Sequence, residues 1–144
     1  MNFMIIKIQK IDYKAIIPNY ANKDDAGLDF YSVEELIIKP NERAAIRTGI
    51  KMEIPSGYVG LVWDKSGLAL NSGVKTMAGV VDSGYRGEIK IVLVNLSDKN
   101  FEIKNGQKIA QMLIQKIEKA EVEAADNLSG SERADNGFGS TGLG

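Results

Sequence analysis

Apolar and polar residues alternate along two segments of the chain. From Ile46 to Ile54 every second residue is Ile, Thr or Met, and the residues between them are Arg, Gly, Lys and Glu. Since successive side chains of a strand point to opposite faces, this period of two predicts a half-buried β-strand. The segment Glu88–Leu96 alternates in the same way, but beyond Lys90 both of its faces are apolar. Such a strand is typical of a position between two layers or at a contact between subunits.

Shorter apolar runs predict further strands at Phe3–Ile8, Leu36–Ile38, Tyr58–Trp63, Phe101–Ile103 and Ile109–Ile117. The last run also fits a helical period of 3.6, but the turn at Asn105-Gly106 before it and the strands around it favour a strand. Residues 66–71 predict one short helical turn. Many short strands separated by turns rich in Pro, Gly, Ser and Asn predict an all-β sandwich or barrel.

The C-terminal segment differs in composition from the rest of the chain. Residues 121–126 are acidic and alanine-rich, and from Gly130 onward the only large apolar residues are Phe138 and Leu143. A segment this poor in apolar residues does not fold alone. Two interpretations are open: a disordered tail, or an arm whose Gly, Ser and Thr residues surround an anion with backbone N–H groups. We therefore divide the chain into a β-domain at 1–126 and a glycine-rich arm at 127–144.

The composition excludes several classes of function. The 144 residues suffice for one domain with a single core. Without Cys or His there are no disulfides, no thiolate metal sites, no His-dependent triads and no His-ligated zinc. A net charge of −1 argues against a broad surface for nucleic acid. No apolar run is long enough for a signal peptide or a membrane span, so we expect a cytoplasmic protein.

Two patches contain polar residues that could carry chemistry. Asp29 follows a glycine within residues 26–30 and, taken alone, indicates a turn residue. The patch at 64–69 places Lys65, Ser66 and Gly67 in consecutive positions at the start of the predicted helical turn. An ammonium, a hydroxyl and a glycine N–H in this order can hold phosphate oxygens. The alternative interpretation is an ordinary capped turn.

A third patch, residues 79–88, predicts a hairpin with a carboxylate at its mouth. A short apolar strand ends at Asp82, a turn follows, and then come Tyr85 and Arg86. We expect an Asp at the end of a buried strand to be partly desolvated, which suits a general base. In the alternative interpretation Asp82 only caps the turn, and Arg86 pairs with it or with Glu88. A fourth patch is Arg133 with the arm that follows it.

In this order, and together with Gly106–Leu113, the patches resemble the motif set of homotrimeric dUTPases (dUTP diphosphatases), over residues 26 to 142. The resemblance implies a jelly-roll-like, distorted β-barrel with a flexible arm, assembled as a homotrimer whose active sites lie at subunit boundaries. It implies hydrolysis of dUTP to dUMP and pyrophosphate with Mg²⁺ as cofactor. That activity limits uracil incorporation into DNA and supplies dUMP for dTMP synthesis.

The resemblance also implies roles for individual residues. Mg²⁺ would be held mainly by the substrate phosphates, which leaves Asp29 to reach the ion only through water. Asp82 would be the catalytic base that activates the water attacking the α-phosphorus. Substrate contacts are expected from Lys65, Ser66, Gly67, Thr76, Gly79, Val80, Val81, Tyr85, Lys90, Gln111, Arg133, Phe138, Gly139, Ser140 and Thr141.

These contacts divide by the part of dUTP that they would meet. The α- and β-phosphates are assigned to residues 65–67 and Gln111, and the γ-phosphate to Arg133, Ser140 and Thr141. The backbone of Gly79–Asp82 and of Lys90 would bind the polar edge of uracil. Phe138 would stack on the base, and Tyr85 would lie under the deoxyribose, leaving no room for a 2′-hydroxyl.

Two residues depart from the family pattern. Family members usually carry Arg where this chain has Lys65, and a lysine lacks the bidentate fork of a guanidinium. Asp135 adds a negative charge to the arm, close to the expected position of the triphosphate. Both changes lead us to expect altered phosphate affinity.

Three other functions are compatible with an all-β domain of this size. A dCTP deaminase has a similar fold but lacks the Asp-x-x-Tyr hairpin and this form of the arm. A binding module that responds to a nucleotide by closing the arm needs no base at Asp82. A structural jelly roll without a ligand does not explain why Lys65, Ser66 and Arg133 occur with a glycine-rich tail.

Overall fold

Strands form nearly all of the regular structure in the computed structural model, which describes residues 3–144. In chain order the elements are β1 Lys7–Lys10, β2 Leu28–Tyr31, β3 Leu36–Ile38, β4 Arg43–Glu53, β5 Tyr58–Trp63, α1 Ser66–Ser72, β6 Val74–Met77, β7 Val80–Val81, β8 Glu88–Asn95, β9 Phe101–Ile103 and β10 Lys108–Lys116. The all-β prediction is confirmed. The helix α1 has seven residues, and no helix in the described residues is long and apolar enough to cross a membrane.

The strands pair into two four-stranded sheets and one two-stranded ribbon. One sheet has the order β1-β4-β8-β6, the other β2-β10-β5-β7, and β3 pairs with β9. All pairings are antiparallel. The strands β6 and β7 are adjacent in sequence but belong to different sheets. The chain therefore changes sheets at Ala78-Gly79, where both residues have positive φ angles of 59° and 110°.

One core cluster joins residues from both four-stranded sheets. Ile46 and Ile91 from the first sheet and Phe30 and Met112 from the second are at most 1% exposed. Burial of such side chains is the main favourable term in folding. The predicted alternation along β4 is confirmed, since Ile46, Thr48, Ile50 and Met52 are all buried.

Most predicted elements occur within one or two residues of their expected bounds. The run at 109–117 is a strand, and the helical turn at 66–71 is α1. The strand predicted at Phe3–Ile8 is wrong in its bounds, because pairing begins only at Lys7. Two strands were not predicted, β2 and β6. In β2 the residues Leu28–Phe30 are all buried, so no alternation marks this strand.

Regular structure ends with β10. Residues 118–144 contain no helix or strand and are exposed, apart from half-buried Gly137. The hydrogen bonds found at 130–142 stay within the segment, as in Arg133 Nε to the Asn136 carbonyl at 2.7 Å. The Phe138 side chain is fully exposed.

Candidate active site

A group of three charges, here called the Asp29 cluster, is formed by Asp29 on β2, Lys65 before α1 and Lys108 on β10. Lys65 Nζ donates to Asp29 Oδ1 at 2.6 Å, and Lys108 Nζ lies 3.0 Å from Oδ2. The Asp29 side chain is 3% exposed, whereas those of Lys65 and Lys108 are 30% and 44% exposed. Each carboxylate oxygen therefore has its own ammonium partner.

The two ammonium groups keep Asp29 ionised. Burial on its own raises the pKa of Asp29, but hydrogen bonds from Lys65 and Lys108 and their positive charge outweigh it, so the net pKa lies below the ordinary value. The same pairing raises the pKa of Lys108. The cluster carries a net charge of +1, which suits an anionic ligand.

Gln111 lies beside this cluster, held by both neighbouring strands. It is the register partner of Asp29 on β2 and of Trp63 on β5. Its Nε2 donates to the backbone carbonyl of Asp64 at 2.9 Å. The structure therefore brings together two of the residues predicted to bind phosphate, Lys65 and Gln111, and Asp29, which was predicted to reach Mg²⁺ through water.

Asp64 fixes the segment that leads into α1. Its Oδ1 accepts the backbone N–H of Thr76 at 2.6 Å, and its Oδ2 accepts Lys75 Nζ at 2.9 Å. Burial alone raises the pKa of Asp64, but the hydrogen bonds from Thr76 and Lys75 lower it by more. The net pKa of Asp64 therefore lies below the ordinary value. Thr76 is 9% exposed, and its N–H is already engaged by this contact.

The residues that begin α1 remain open to solvent. Ser66 and Gly67 are exposed, and Lys65 occupies the N-cap position with extended backbone angles and no capping side chain. The N-terminus of α1 thus has no side-chain cap, whereas the backbone N–H of Gly73 caps its C-terminus. The first N–H groups of a helix have no intrahelical partner, so those of Ser66 and Gly67 are available to a ligand.

A second group of predicted residues lines a pocket of about 280 Å³ between β7 and β8. It includes Gly79, Val80, Val81, Tyr85 and Lys90, five of the residues expected to contact the base and the sugar, but neither Asp82 nor Phe138. We call it the hairpin pocket.

Unpaired strand edges face this pocket. The strand β7 is the last in its sheet, and β6 pairs only with Val92–Asn95 of β8. The β8 segment around Lys90 is therefore paired with β4 but not with β6. Free edges of this kind present backbone donors and acceptors. The Gly79 carbonyl is already taken, since it accepts the Val62 N–H at 2.8 Å.

Hydrogen bonding and close packing fix the position of the Tyr85 ring in the hairpin pocket. Its hydroxyl donates to the Glu88 carbonyl at 2.9 Å. The Glu88 side chain in turn accepts Arg47 Nε through both of its oxygens, at 2.9 and 3.1 Å. A Cβ on Gly87 would lie 2.3 Å from the Tyr85 hydroxyl oxygen, so only glycine leaves room for this ring.

Asp82 directly follows β7, at the edge of the pocket. The expectation that it is partly desolvated is wrong for the single chain: the strand before it has only two residues, and Asp82 is exposed. The expected partners of Arg86 are also wrong. Arg86 donates to Glu53 Oε1 at 3.1 Å and to the Ser83 carbonyl at 2.7 Å. Asp82 is left facing solvent.

The predicted site residues thus form three separate groups in one chain. No hydrogen bond or ion pair within residues 3–144 joins the side chains of the Asp29 cluster to those of the hairpin pocket. The arm, with Arg133, Phe138, Gly139, Ser140 and Thr141, contacts neither group through its hydrogen bonds.

Two residues that shape the site were not predicted, Asp64 and Lys108. Both lie inside runs that carried the resemblance to the dUTPase family, at 64–69 and 106–113. Their charge, at positions within these runs, was the available signal. Which of these charges would pair with Asp29 depends on the neighbouring strands, and a linear pattern does not contain that information.

Comparison with known proteins gives a consistent result. The sequence profile of the dUTPase family matches residues 13–142. The deoxyuridine 5′-triphosphate nucleotidohydrolase of Clostridium kluyveri is 48% identical over 141 residues, covering 96% of this chain and 99% of the relative. The protein of the same name from Helicobacter pylori is 46% identical over 142 residues, covering 97% and 98%.

Solved structures agree with the fold. The dUTPase of Staphylococcus bacteriophage 80alpha with dUPNHPP has a TM-score of 0.91 and 29% identity, covering 96% of this chain and 99% of that one. A dUTPase variant from phage phi11 of S. aureus has a TM-score of 0.82 and 25% identity, covering 88% and 99%. The profile and the relatives each span most of the sequence, and this chain belongs to the dUTPase family.

Proposed function

We propose that this chain hydrolyses dUTP to dUMP and pyrophosphate, the reaction of the family to which it belongs. The observation that carries the proposal is the hairpin pocket, where free edges of β7 and β8, Tyr85 and the adjacent Asp82 come together. The relatives from C. kluyveri and H. pylori carry the corresponding name.

Backbone groups of the hairpin pocket select the base. Uracil presents a carbonyl acceptor where cytosine presents an amino donor. A backbone N–H from β7 or from the β8 edge at Lys90 donates to the uracil carbonyl. The same N–H would face the amino donor of cytosine and would find no acceptor there. Leaving such a group unpaired in a closed site costs about 1–3 kcal/mol. Val80 and Val81 line the pocket, and in the proposal their strand excludes the 5-methyl group of thymine.

Asp82 is the base in this mechanism. Its carboxylate accepts a proton from a water whose oxygen attacks the α-phosphorus. The bond from that phosphorus to the bridging oxygen breaks, and pyrophosphate leaves with the electron pair. Because Asp82 is exposed in the single chain, closure of the site has to supply its dry environment. Placement and charge neutralisation contribute most of the acceleration in phosphoryl chemistry.

Mg²⁺ fits this site as an ion carried by the substrate. Within the described part of the chain no group of three or more acidic side chains is placed to hold a metal. Asp29 is the one carboxylate in its cluster, and both of its oxygens already have ammonium partners. Such a donor set suits contact through water with a phosphate-bound ion. When bound, Mg²⁺ neutralises negative charge on the phosphates. The phage phi11 structure is described with a structural Mg(II) ion.

Lys65, Ser66, Gly67 and Gln111 bind the α- and β-phosphates in the proposal. The arm supplies Arg133, Ser140 and Thr141 to the γ-phosphate, and Phe138 to the face of the base. In the single chain the arm does not meet either part of the site. We therefore propose a homotrimer whose sites are completed by residues from different chains. Exposed apolar side chains, such as Phe3 at 80% and Ile5 at 73%, support burial in an assembly.

A pyrophosphate-release assay with dUTP, dTTP, dCTP and UTP, with and without Mg²⁺, tests the function. We expect turnover of dUTP with Mg²⁺ and little with the other three. Asp82→Asn should retain binding of a non-hydrolysable dUTP analogue while losing turnover. Asp98→Asn is the matched control, because Asp98 is exposed and lies outside both groups.

Two outcomes would replace the proposal. Release of ammonia from dCTP would indicate the deaminase function. Binding of dUTP without turnover in the unmodified protein would indicate a nucleotide-responsive binding module.

A further inference from the structure

The Asp29 carboxylate has one more cation than it needs for neutrality. Lys65 Nζ and Lys108 Nζ bind different oxygens of the same group, at 2.6 and 3.0 Å. One ammonium suffices to offset one carboxylate, so the second is free to serve another anion without leaving Asp29 unpaired. One lysine can therefore leave Asp29 while the other remains paired with it.

The backbone positions of the two lysines indicate which of them can leave Asp29. Lys108 belongs to β10 and is held in register with Tyr31 of β2, the strand that carries Asp29. Lys65 lies outside the strands, at the N-cap position of α1, next to exposed Ser66 and Gly67. The Lys65 side chain is attached next to the free N–H groups of α1, whereas the Lys108 side chain is attached to a strand within a sheet. Lys65 is therefore the cation placed to turn toward a phosphate.

Asp29 is too buried to lose both partners. Its side chain is 3% exposed, and a buried carboxylate without a cation is strongly unfavourable. If Lys65 were its only partner, movement of Lys65 to a phosphate would uncover that charge. Because Lys108 stays paired with Asp29, the buried carboxylate keeps a counter-ion when Lys65 moves.

We infer that Lys108 is the resident counter-ion of Asp29, and that it releases Lys65 to bind the phosphates of the substrate. This inference rests on the proposed function, because it requires that Lys65 contacts a phosphate. Lys108 is a positioning residue and does not touch the substrate. Lys108 affects substrate binding only through Asp29. A residue that contacts the phosphate directly would affect binding whether or not position 29 is charged.

The test is a double-mutant cycle on binding of a non-hydrolysable dUTP analogue without added metal. Trp63 is the only tryptophan of the chain and pairs in register with Gln111, so its fluorescence reports binding. Lys108→Met should weaken binding about tenfold, and Lys108→Arg should restore it to within about twofold. Asp29→Asn with Lys108→Met should bind as Asp29→Asn alone does, because a neutral side chain at 29 needs no counter-ion.

Steady-state kinetics with Mg²⁺ adds a readout that a purely structural role would not move. Lys108→Met should raise KM for dUTP and change kcat less than about threefold, since the chemistry at Asp82 is untouched. Lys7→Met is the matched control, because Lys7 forms only an exposed ion pair with Glu53 at 3.5 Å. Lys108→Gln replaces Lys108→Met if thermal unfolding shows that the latter does not fold.

Failure of the inference differs from failure of the proposed function. An unmodified chain without dUTP turnover rejects the proposed function. Full activity in Lys65→Met leaves that function standing and rejects the phosphate contact of Lys65, and with it the inference. Loss of activity in Lys65→Met with unchanged KM and binding in Lys108→Met rejects only the inference. An undiminished tenfold effect of Lys108→Met in the Asp29→Asn background also rejects it, since Lys108 would then act directly on the phosphate.

Discussion

Gly27 and Gln111 approach each other so closely that a side chain at position 27 has no room. A Cβ placed there would lie 2.3 Å from Gln111 Oε1 and 2.9 Å from Gln111 Cβ. The opposite end of the same amide donates to the Asp64 carbonyl. The glycine thus leaves space for an amide that connects β10 to the segment carrying Lys65.

We expect Gly27→Ala to impair catalysis more than folding. The new methyl group forces the Gln111 amide away from Asp64, and this loosens the backbone just before Lys65. A misplacement of this kind at a phosphate site lowers kcat/KM for dUTP by about tenfold or more. Gly130→Ala is the control, since an added Cβ there meets no atom within 4 Å. Equal kcat/KM in both variants would contradict this role for Gln111.

The sequence predicted the types of residue in the site better than their arrangement. The short strands were visible because apolar positions recur, as at Tyr58–Trp63 and Phe101–Ile103. The strand β2 was missed because it is buried on both faces and contains Asp29. The two lysines that neutralise this carboxylate come from residues 65 and 108. Only the pairing of β2 with β10 and the path of the chain before α1 bring them together.

We expect Tyr85→Ala to raise activity on UTP relative to dUTP. The ring is fixed by its bond to the Glu88 carbonyl, and its removal leaves space for a 2′-hydroxyl. The ratio of kcat/KM values should shift toward UTP by roughly tenfold. Gly87→Ala should shift it in the same direction, because its methyl group displaces the ring. Tyr13→Ala, at a 90% exposed position, should leave the ratio unchanged. An unchanged ratio in Tyr85→Ala would reject the role of this ring.

Asn95 is a buried polar residue whose contribution is to folding. It is 0% exposed, donates to the carbonyls of Ile38 and Lys99 at 2.9 and 2.7 Å, and accepts from Ser97. Asn95→Ala leaves these groups unpaired and creates a cavity, so the free energy of unfolding should fall by about 2–4 kcal/mol. Urea unfolding measures this change, with exposed Asn127→Ala as the control. A loss below about 0.5 kcal/mol would contradict the assignment.

The proposed sharing of sites between chains can be tested by complementation. One chain carries Asp82→Asn, and the other lacks residues 131–144. Each alone should be inactive. If the arm and the hairpin of one site come from different chains, random mixing in co-expressed trimers should complete about a quarter of the sites. If both come from the same chain, no site is complete and no activity appears, which would reject this part of the proposal.

The low pKa values of Asp29 and Asp64 predict how stability depends on pH. Both values lie below the ordinary value of 3.8, so below about pH 5 the unfolded chain binds more protons than the folded one. The stability that these carboxylates contribute is complete only well above the ordinary pKa of 3.8, and it is lost as the pH falls toward and through their lower folded values. Urea unfolding between pH 7 and 3 should therefore show a decline on the acid side.

Asp29→Asn should make this decline shallower, although it lowers stability at pH 7 by leaving two ammonium groups without their partner. Asp98→Asn, the exposed control, should keep the slope of the unmodified chain. The decline should also persist in Lys7→Met, because the Lys7–Glu53 pair is exposed to solvent and contributes little. A slope that Asp29→Asn leaves unchanged would mean that the acid sensitivity arises elsewhere, and the ion pairs around Asp29 would then not be the source of stability that their geometry indicates.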